Sequence, residues 1–176
     1  VMQLLQANPL FSDLPQPHFT PLLATLGRHD VQAGELLFRE GDHAEYFLLV
    51  KQGCIEMLRF TVDGEERVFH LFRSGQLVAE AAMFMAHGRY PMNARAQCAC
   101  VVYRLSRSAL RKTCENHPPL AMRMLEILSQ RLYRQVIEVD WLTASSATRS
   151  KTPDRVPRRP STHVVPVVRV MIGCIE

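Results

Sequence analysis

The side chains that could do chemistry are few and scattered. Five cysteines stand at Cys54, Cys98, Cys100, Cys114 and Cys174. Their number is odd and no Cys-x-x-Cys pair occurs, so neither a disulfide framework nor a zinc pattern is expected. A reducing cytoplasm is the simplest compartment for such a set. Cys98-Ala99-Cys100 reads as part of a strand, where residues two apart face the same side. Two thiols so placed make either a soft-metal or redox pair or a pair of small core hydrophobes. Glu80 is a lone carboxylate inside the apolar run VAEAAMFM, residues 78–85. Met83, Met85, Met92 and Phe84 would line a ligand pocket or simply fill a core. The histidines His18, His29, His43, His70, His87, His117 and His163 are dispersed. Nucleophile elbow, His-Glu-x-x-His and phosphate-cradling glycine loop are all missing, so the chain is not expected to be an enzyme.

The elements that must hold these residues can be read from texture. Of 176 residues, 47% are hydrophobic and 22% charged, the mix of a soluble globular protein. No apolar run reaches membrane-spanning length, so no membrane contact is expected. The net charge is +4. Residues 149–176 hold six Arg or Lys against Asp154 and Glu176, which is the whole of that excess, so the preceding residues are neutral. The basic character belongs to a tail and predicts no basic face on the fold.

Met2–Gln6 is a short apolar stretch ended by Asn8-Pro9, and Pro17 opens a second helix with Phe19, Leu22, Leu23 and Leu26 at helical spacing. From Arg28 to Ser106, β-branched and aromatic runs alternate with turn signals at Ala33-Gly34, Gly41-Asp42, Gln52-Gly53, Asp63-Gly64 and Ser74-Gly75. That rhythm predicts an antiparallel β sandwich or barrel. Asp63-Gly64 is the clearest hairpin, expected as a type I′ turn. Residues 78–85 read as helical. Ser106 caps a helix through Cys114. Pro118-Pro119 starts a long helix in which Leu125, Leu128, Leu132, Val139 and Leu142 follow 3/4 spacing, with Gln135 in the same heptad series. Such a stripe is either a two-stranded coiled-coil seam or a face packed on the chain's own sheet. From Thr143 the composition turns to Ser, Arg and Pro, and Pro153, Pro157, Pro160 and Pro166 forbid a helix of useful length.

The order of elements resembles the sensor domain of the Crp/Fnr superfamily of bacterial transcription regulators. Leu10-Phe11 with Leu14, the stretch from Val31 to Asp42 and the stretch from Phe47 to Gly53 carry the likeness. It implies a mainly β protein, a jelly roll of the cyclic-nucleotide-binding type with flanking short helices and a long C-terminal dimerisation helix. The expected divisions are 1–117 for the sensor, 118–142 for the dimerisation helix and 143–176 for an irregular basic tail.

Cyclic-nucleotide binders of that superfamily carry Gly-Glu-Leu on the short helix and Arg-Ser/Thr-Ala about ten residues on. Here Ala79-Glu80-Ala81 stands in the first place and Tyr90-Pro91-Met92 in the second. The carboxylate survives, but the phosphate arginine is replaced by Tyr90, and Pro91 removes a backbone donor. Arg89 is one residue away, which on a strand means the opposite face. The expected effector pocket comprises Ala79, Glu80, Ala81, Phe84, Tyr90, Pro91, Arg131 and Gln135. AEAAMFM followed by Tyr is similar to the Dnr-type branch that responds to nitrogen oxides, which implies haem as a candidate cofactor. Any one histidine could then be an axial ligand, while a place on the surface or in a capped turn is the expected reading for each taken singly. The function read from these residues is the effector-sensing and dimerisation part of a regulator. The alternative is a stand-alone cyclic-nucleotide-binding domain with a degenerate cassette. Neither helix of a helix-turn-helix can be built from residues 143–176, so DNA binding is expected only in a full-length form that carries one.

Overall fold

In the computed structural model the described residues are 1–148, with side chains to residue 137. Two units divide the chain, one from Val1 to Ile127 and one from Leu128 onward.

The first unit opens with α1 (Met2–Gln6) and a 3-10 turn (Gln16–Phe19) that runs into α2 (Thr20–Ala24). Eight strands follow: β1 (Gly27–Val31), β2 (Leu36–Phe38), β3 (Tyr46–Gln52), β4 (Cys54–Phe60), β5 (Glu66–Arg73), β6 (Leu77–Val78), β7 (Asn93–Ala96) and β8 (Cys100–Ser106). A 3-10 turn at Ala81–Phe84 interrupts them. They make two four-stranded antiparallel sheets, ordered β1-β8-β3-β6 and β2-β7-β4-β5. This is the jelly roll that the turn rhythm predicted. The five glycines of the turn signals all take positive φ, from +80° to +92°.

The hairpin at Asp63-Gly64 differs from expectation. Gly64 N–H donates to Thr61 O at 2.9 Å and Thr61 N–H to Glu65 O at 2.8 Å. Gly64 is left-handed at +80° while Asp63 is not. That is a three-residue loop, a type I turn followed by a left-handed glycine, rather than a two-residue type I′ turn. The extra residue, Val62, stands fully exposed at the tip.

β3 is buried on both faces, with Phe47, Leu48, Leu49 and Val50 each at 0% exposure. An alternating pattern would have meant one wet face; here the other sheet covers one side and flanking elements the other. Asn8 explains how the N-terminal turn is tied down: its amide donates to Gly75 O at 2.8 Å, and its Oδ1 accepts from Leu10 N–H at 3.0 Å.

α3 (Arg107–Asn116) is capped as expected, Ser106 Oγ accepting from Ala109 N–H at 3.0 Å. α4 starts at Pro118 and runs to Thr148. The helix thus passes the limit expected at Leu142, because residues 143–148 are Thr, Ala and Ser and the first proline stands only at Pro153. In the second unit Leu132, Tyr133, Val136 and Ile137 are exposed along α4, and Leu128 is half-buried. The side chains of Val139 and Leu142, and everything expected of residues 149–176, lie outside the described residues.

Candidate functional site

The short run Ala79–Phe84 follows β6 and turns at once into a 3-10 helix whose first hydrogen bond joins Ala82 N–H to Ala79 O at 3.1 Å. To enter it, Ala79 adopts φ +64°, the sole positive φ of a non-glycine residue among the described residues. This is the backbone shape that a glycine would take without strain. Glu80 is buried at 3% exposure, as are Ala82 and Met83, whereas Phe84 is exposed at 39% and Ala81 half-buried. The run expected as a helix over 78–85 is therefore one 3-10 turn, and its apolar side chains divide between core and surface.

Tyr90 is enclosed on all sides. It is 2% exposed, and its ring stacks on Phe38 with centroids 3.7 Å apart and planes 9° from parallel. Tyr46 approaches edge-on at 6.0 Å. Its hydroxyl donates to Tyr46 O at 2.5 Å. Burial raises the phenol above its ordinary value, with the neighbouring Tyr46 adding to the effect. Tyr90 thus works as a neutral plug with one satisfied polar tip.

Arg89, the neighbouring cation, points elsewhere. It is exposed, and its guanidinium donates to Gly41 O at 2.6 Å. Pro91 is half-buried and its carbonyl accepts from Arg59 Nε at 3.1 Å, while Arg59 also pairs with Glu40 at 2.7 Å. No arginine therefore comes from the 89–91 segment into the interior. Arg131 and Gln135 stand exposed on the part of α4 that belongs to the second unit.

Arg104 was not singled out by the sequence. It lies on β8 opposite Leu48, with its guanidinium carbon 4.5 Å above the Tyr46 ring centroid. Its Nε is buried and has no hydrogen-bond partner. A cation over an aromatic face gains from the ring quadrupole. The positive charge that reaches Tyr46 and Tyr90 therefore comes from β8. The signal was a single charged residue within the apolar strand Val-Val-Tyr-Arg-Leu.

The Cys98–Cys100 expectation needs correcting. Cys100 begins β8 and is buried, but Cys98 sits in a bend before it and is exposed. The two thiols are not a same-face strand pair. Gly53 passes close to this bend: at φ +92° a Cβ on it would lie 2.5 Å from Cys100 Sγ and 2.8 Å from Ala99 O.

Two histidines do meet. The rings of His18 and His117 lie 4.7 Å apart, the first on the 3-10 turn before α2 and the second at the joint of α3 and α4. His117 also lines an open groove of about 500 Å3 with Leu10, Leu14, Pro118, Leu120 and Met122. Among the described residues no group of three or more His, Cys, Asp or Glu is placed to hold a metal ion, and no helix is long and apolar enough to cross a membrane.

Comparison with known proteins places this geometry. The family model of the cyclic nucleotide-binding domain matches residues 28–117. The anaerobic regulatory protein of Bacillus subtilis (strain 168) is 26% identical over 132 residues, 74% of this chain and 56% of that protein. The chain thus spans just over half the length of that relative. The sensor domain of the transcriptional regulator DNR from Pseudomonas aeruginosa superposes with a TM-score of 0.71 at 31% identity, covering 78% of this chain and 92% of that one. The Catabolite Activator Protein of Thermus thermophilus superposes with a TM-score of 0.65 at 25% identity, over 77% of this chain and 63% of that one. These relatives are a regulatory protein, a transcriptional regulator and an activator. The chain belongs to the cyclic nucleotide-binding domain family, as a sensor domain of the Crp/Fnr type.

Proposed function

We propose that this member of the cyclic nucleotide-binding domain family is the effector-sensing and dimerisation part of a transcriptional regulator whose effector is not a cyclic nucleotide. The observation that carries the reading is Tyr90. Where cyclic-nucleotide binders present an arginine, this chain buries a neutral phenol stacked on Phe38 and bonded to Tyr46 O. A nucleotide phosphate would be desolvated there without the arginine that the 89–91 segment would supply, while Arg104 is engaged over the Tyr46 ring; that is unfavourable by several kcal/mol, roughly. Arg89 cannot substitute while it is held at Gly41 O.

The Dnr-type likeness implies haem, and one place fits it. The groove beside His117 offers an imidazole, backed by His18, with apolar walls from Leu10, Leu14 and Leu120 and charged residues Asp13, Arg123 and Glu126 also on its lining. His117 or His18 would supply a nitrogen ligand to the iron, and the leucines would give the ring an apolar bed. Haem, when bound, supplies an iron position for a diatomic such as nitric oxide. This site is separate from the Glu80–Tyr90 region expected as the effector pocket, which remains our proposal for the place where a signal reaches the roll.

Dimerisation is assigned to α4. Leu125 and Leu132 are exposed seven residues apart, part of an apolar row that a second helix would cover. Leu128, Val139 and Leu142 complete the seam. The divisions at 1–117, 118–142 and 143–176 belong to the same proposal, as does DNA binding through a helix-turn-helix in a full-length form. The free thiols Cys54, Cys98, Cys100 and Cys114 suit a reducing cytoplasm.

The test is a haem titration of the purified chain, followed by nitric oxide exposure, beside calorimetry with cAMP and cGMP. A Soret band that shifts with nitric oxide, and is lost in the His18→Ala/His117→Ala variant, is expected. Micromolar heat with either nucleotide would overturn the non-nucleotide reading, and a Soret band indifferent to both histidines would overturn the groove as the haem site.

A further inference from the structure

We propose that Cys98 and Cys100 form a thiol-oxidation site, in which a peroxide oxidises the exposed Cys98 and the buried Cys100 closes a reversible disulfide onto it. The first ground is the bend. Two residues of extended chain span about 6.6–7.2 Å, around the upper limit of about 6.8 Å between the Cα atoms of a disulfide. A strand would hold the two cysteines near that limit with parallel side chains, whereas here Cys98 lies in a bend at residues 97–99 and is not bound to strand geometry.

The second ground is the division of labour between the thiols. Cys98 is exposed, so solvent-borne oxidants reach it. Cys100 is buried, and its thiol donates to Cys98 O at 3.0 Å and also lies 3.3 Å from Cys54 O. It is thus held against the Cys98 backbone. Burial raises the Cys100 thiol above its ordinary value, which keeps it a protonated reserve rather than a first target. Cys54 and Cys114 are buried as well and face no oxidant directly.

The chemistry balances with peroxide as the named oxidant. Cys98 thiolate attacks the peroxide: an S–O bond forms, the O–O bond breaks, and the leaving oxygen takes a proton and departs as water or alcohol. Sulfur is oxidised by two electrons and the peroxide reduced by two. Cys100 sulfur then attacks Cys98 sulfur, the S–S bond forms, the S–O bond breaks, and the hydroxyl leaves as water with the Cys100 proton. Closing the bridge takes Cys100 Sγ from the Cys54 carbonyl, at the spot where Gly53 leaves room for nothing larger than hydrogen. Oxidation therefore acts on the β3–β4 turn and the start of β8.

The experiment treats the full chain with a few equivalents of hydrogen peroxide, then unfolds it and alkylates all remaining thiols. Of the five cysteines, two should resist alkylation, and peptide mapping should find them joined as Cys98 and Cys100. Dithiothreitol should restore all five. Cys100→Ser should instead stop at a Cys98 sulfenic acid that dimedone traps, and Cys98→Ser should abolish fast peroxide consumption. Cys98 is exposed, so its serine variant is expected to melt within a degree or two of the parent, roughly, a check on folding. Five alkylated thiols after treatment, a bridge that uses another cysteine, or a bridge between two chains at Cys98 would each overturn the proposal.

Discussion

Removing the Tyr90 hydroxyl is the sharpest test of the plug. Tyr90→Phe keeps the ring stacked on Phe38 and deletes one buried hydrogen bond of 2.5 Å to Tyr46 O. Such a bond contributes about 1 kcal/mol, and leaving the buried carbonyl unsatisfied adds up to a further 1 kcal/mol, roughly. Tyr90→Ala also deletes a ring at 2% exposure, for which about 3–5 kcal/mol is expected. With an m-value of about 2 kcal/mol/M in urea, the Phe variant should lose roughly 0.5–1 M in midpoint and the Ala variant about 1.5–2.5 M. The same residue sets a pH dependence. Its folded phenol titrates above the ordinary value of 10.0, chiefly from burial. Below about pH 10 both states hold the proton and the contribution is fully present; above it only the unfolded chain releases the proton, and stability falls as pH rises. Tyr90→Phe should flatten that alkaline slope. A Phe variant within about 0.3 kcal/mol of the parent and with the same alkaline slope would refute the plug, since surface changes fall in that range.

Ala79→Gly should raise stability by about 1 kcal/mol, by relieving the +64° backbone; an unchanged urea midpoint would contradict the strain. Gly53→Ala should lower it by at least about 2 kcal/mol, because a Cβ there meets Cys100 Sγ at 2.5 Å on a +92° backbone; thermal melting reads this directly. The Cys114 thiol is pushed up to about 11 from 9.0 by burial, so its contribution should be lost as pH rises from about 9 through 11, and Cys114→Ala should remove that part of the alkaline loss. Glu at Leu128 and Leu132 together should give monomers in light scattering, with the roll's circular dichroism unchanged; a parent already monomeric at high micromolar concentration would rule out α4 as the seam.

The fold was legible because its punctuation is chemical. Five glycines mark five turns at positive φ, and Ser106 marks the start of α3 through one side-chain hydrogen bond. What escaped had both local and remote partners. Val62 lengthened the hairpin loop, which the Asp-Gly pair alone does not reveal. Cys98 lies in a bend rather than in the strand, beside Cys100, which Gly53 approaches from 47 positions earlier. Arg104 escaped because a charge in an apolar strand looks like an outward-facing residue until Tyr46 is placed beneath it. Strand parity predicts opposite faces for Arg89 and Tyr90, but Arg89 makes only an isolated bridge to His43 and β7 begins at Asn93; one side chain is exposed and the other buried without a strand to set them so.

On the proposed reading, Ala79 and Tyr90 together would let such a domain change its ligand without changing its fold. The backbone of the short 3-10 turn keeps a left-handed entry even though alanine resists it, so the turn is held by its surroundings, Glu80, Ala82 and Met83 all being buried. Shape is thereby retained where a glycine has gone. At Tyr90 the reverse holds: the side chain adds volume and a neutral hydroxyl where the family's nucleotide binders present charge, and it satisfies that hydroxyl internally at Tyr46 O. A phosphate can be admitted again only if this plug is removed and a cation supplied at the same point. Tyr90→Arg with Pro91→Ser supplies the guanidinium and restores a backbone donor, so weak cAMP heats are expected from the double variant and none from the parent. The guanidinium must also displace a ring stacked at 3.7 Å on Phe38, so the variant should be less stable than the parent without ligand and regain part of that loss when cAMP is added. A destabilised variant whose melting temperature ignores cAMP would show that Tyr90 does not stand in the phosphate position.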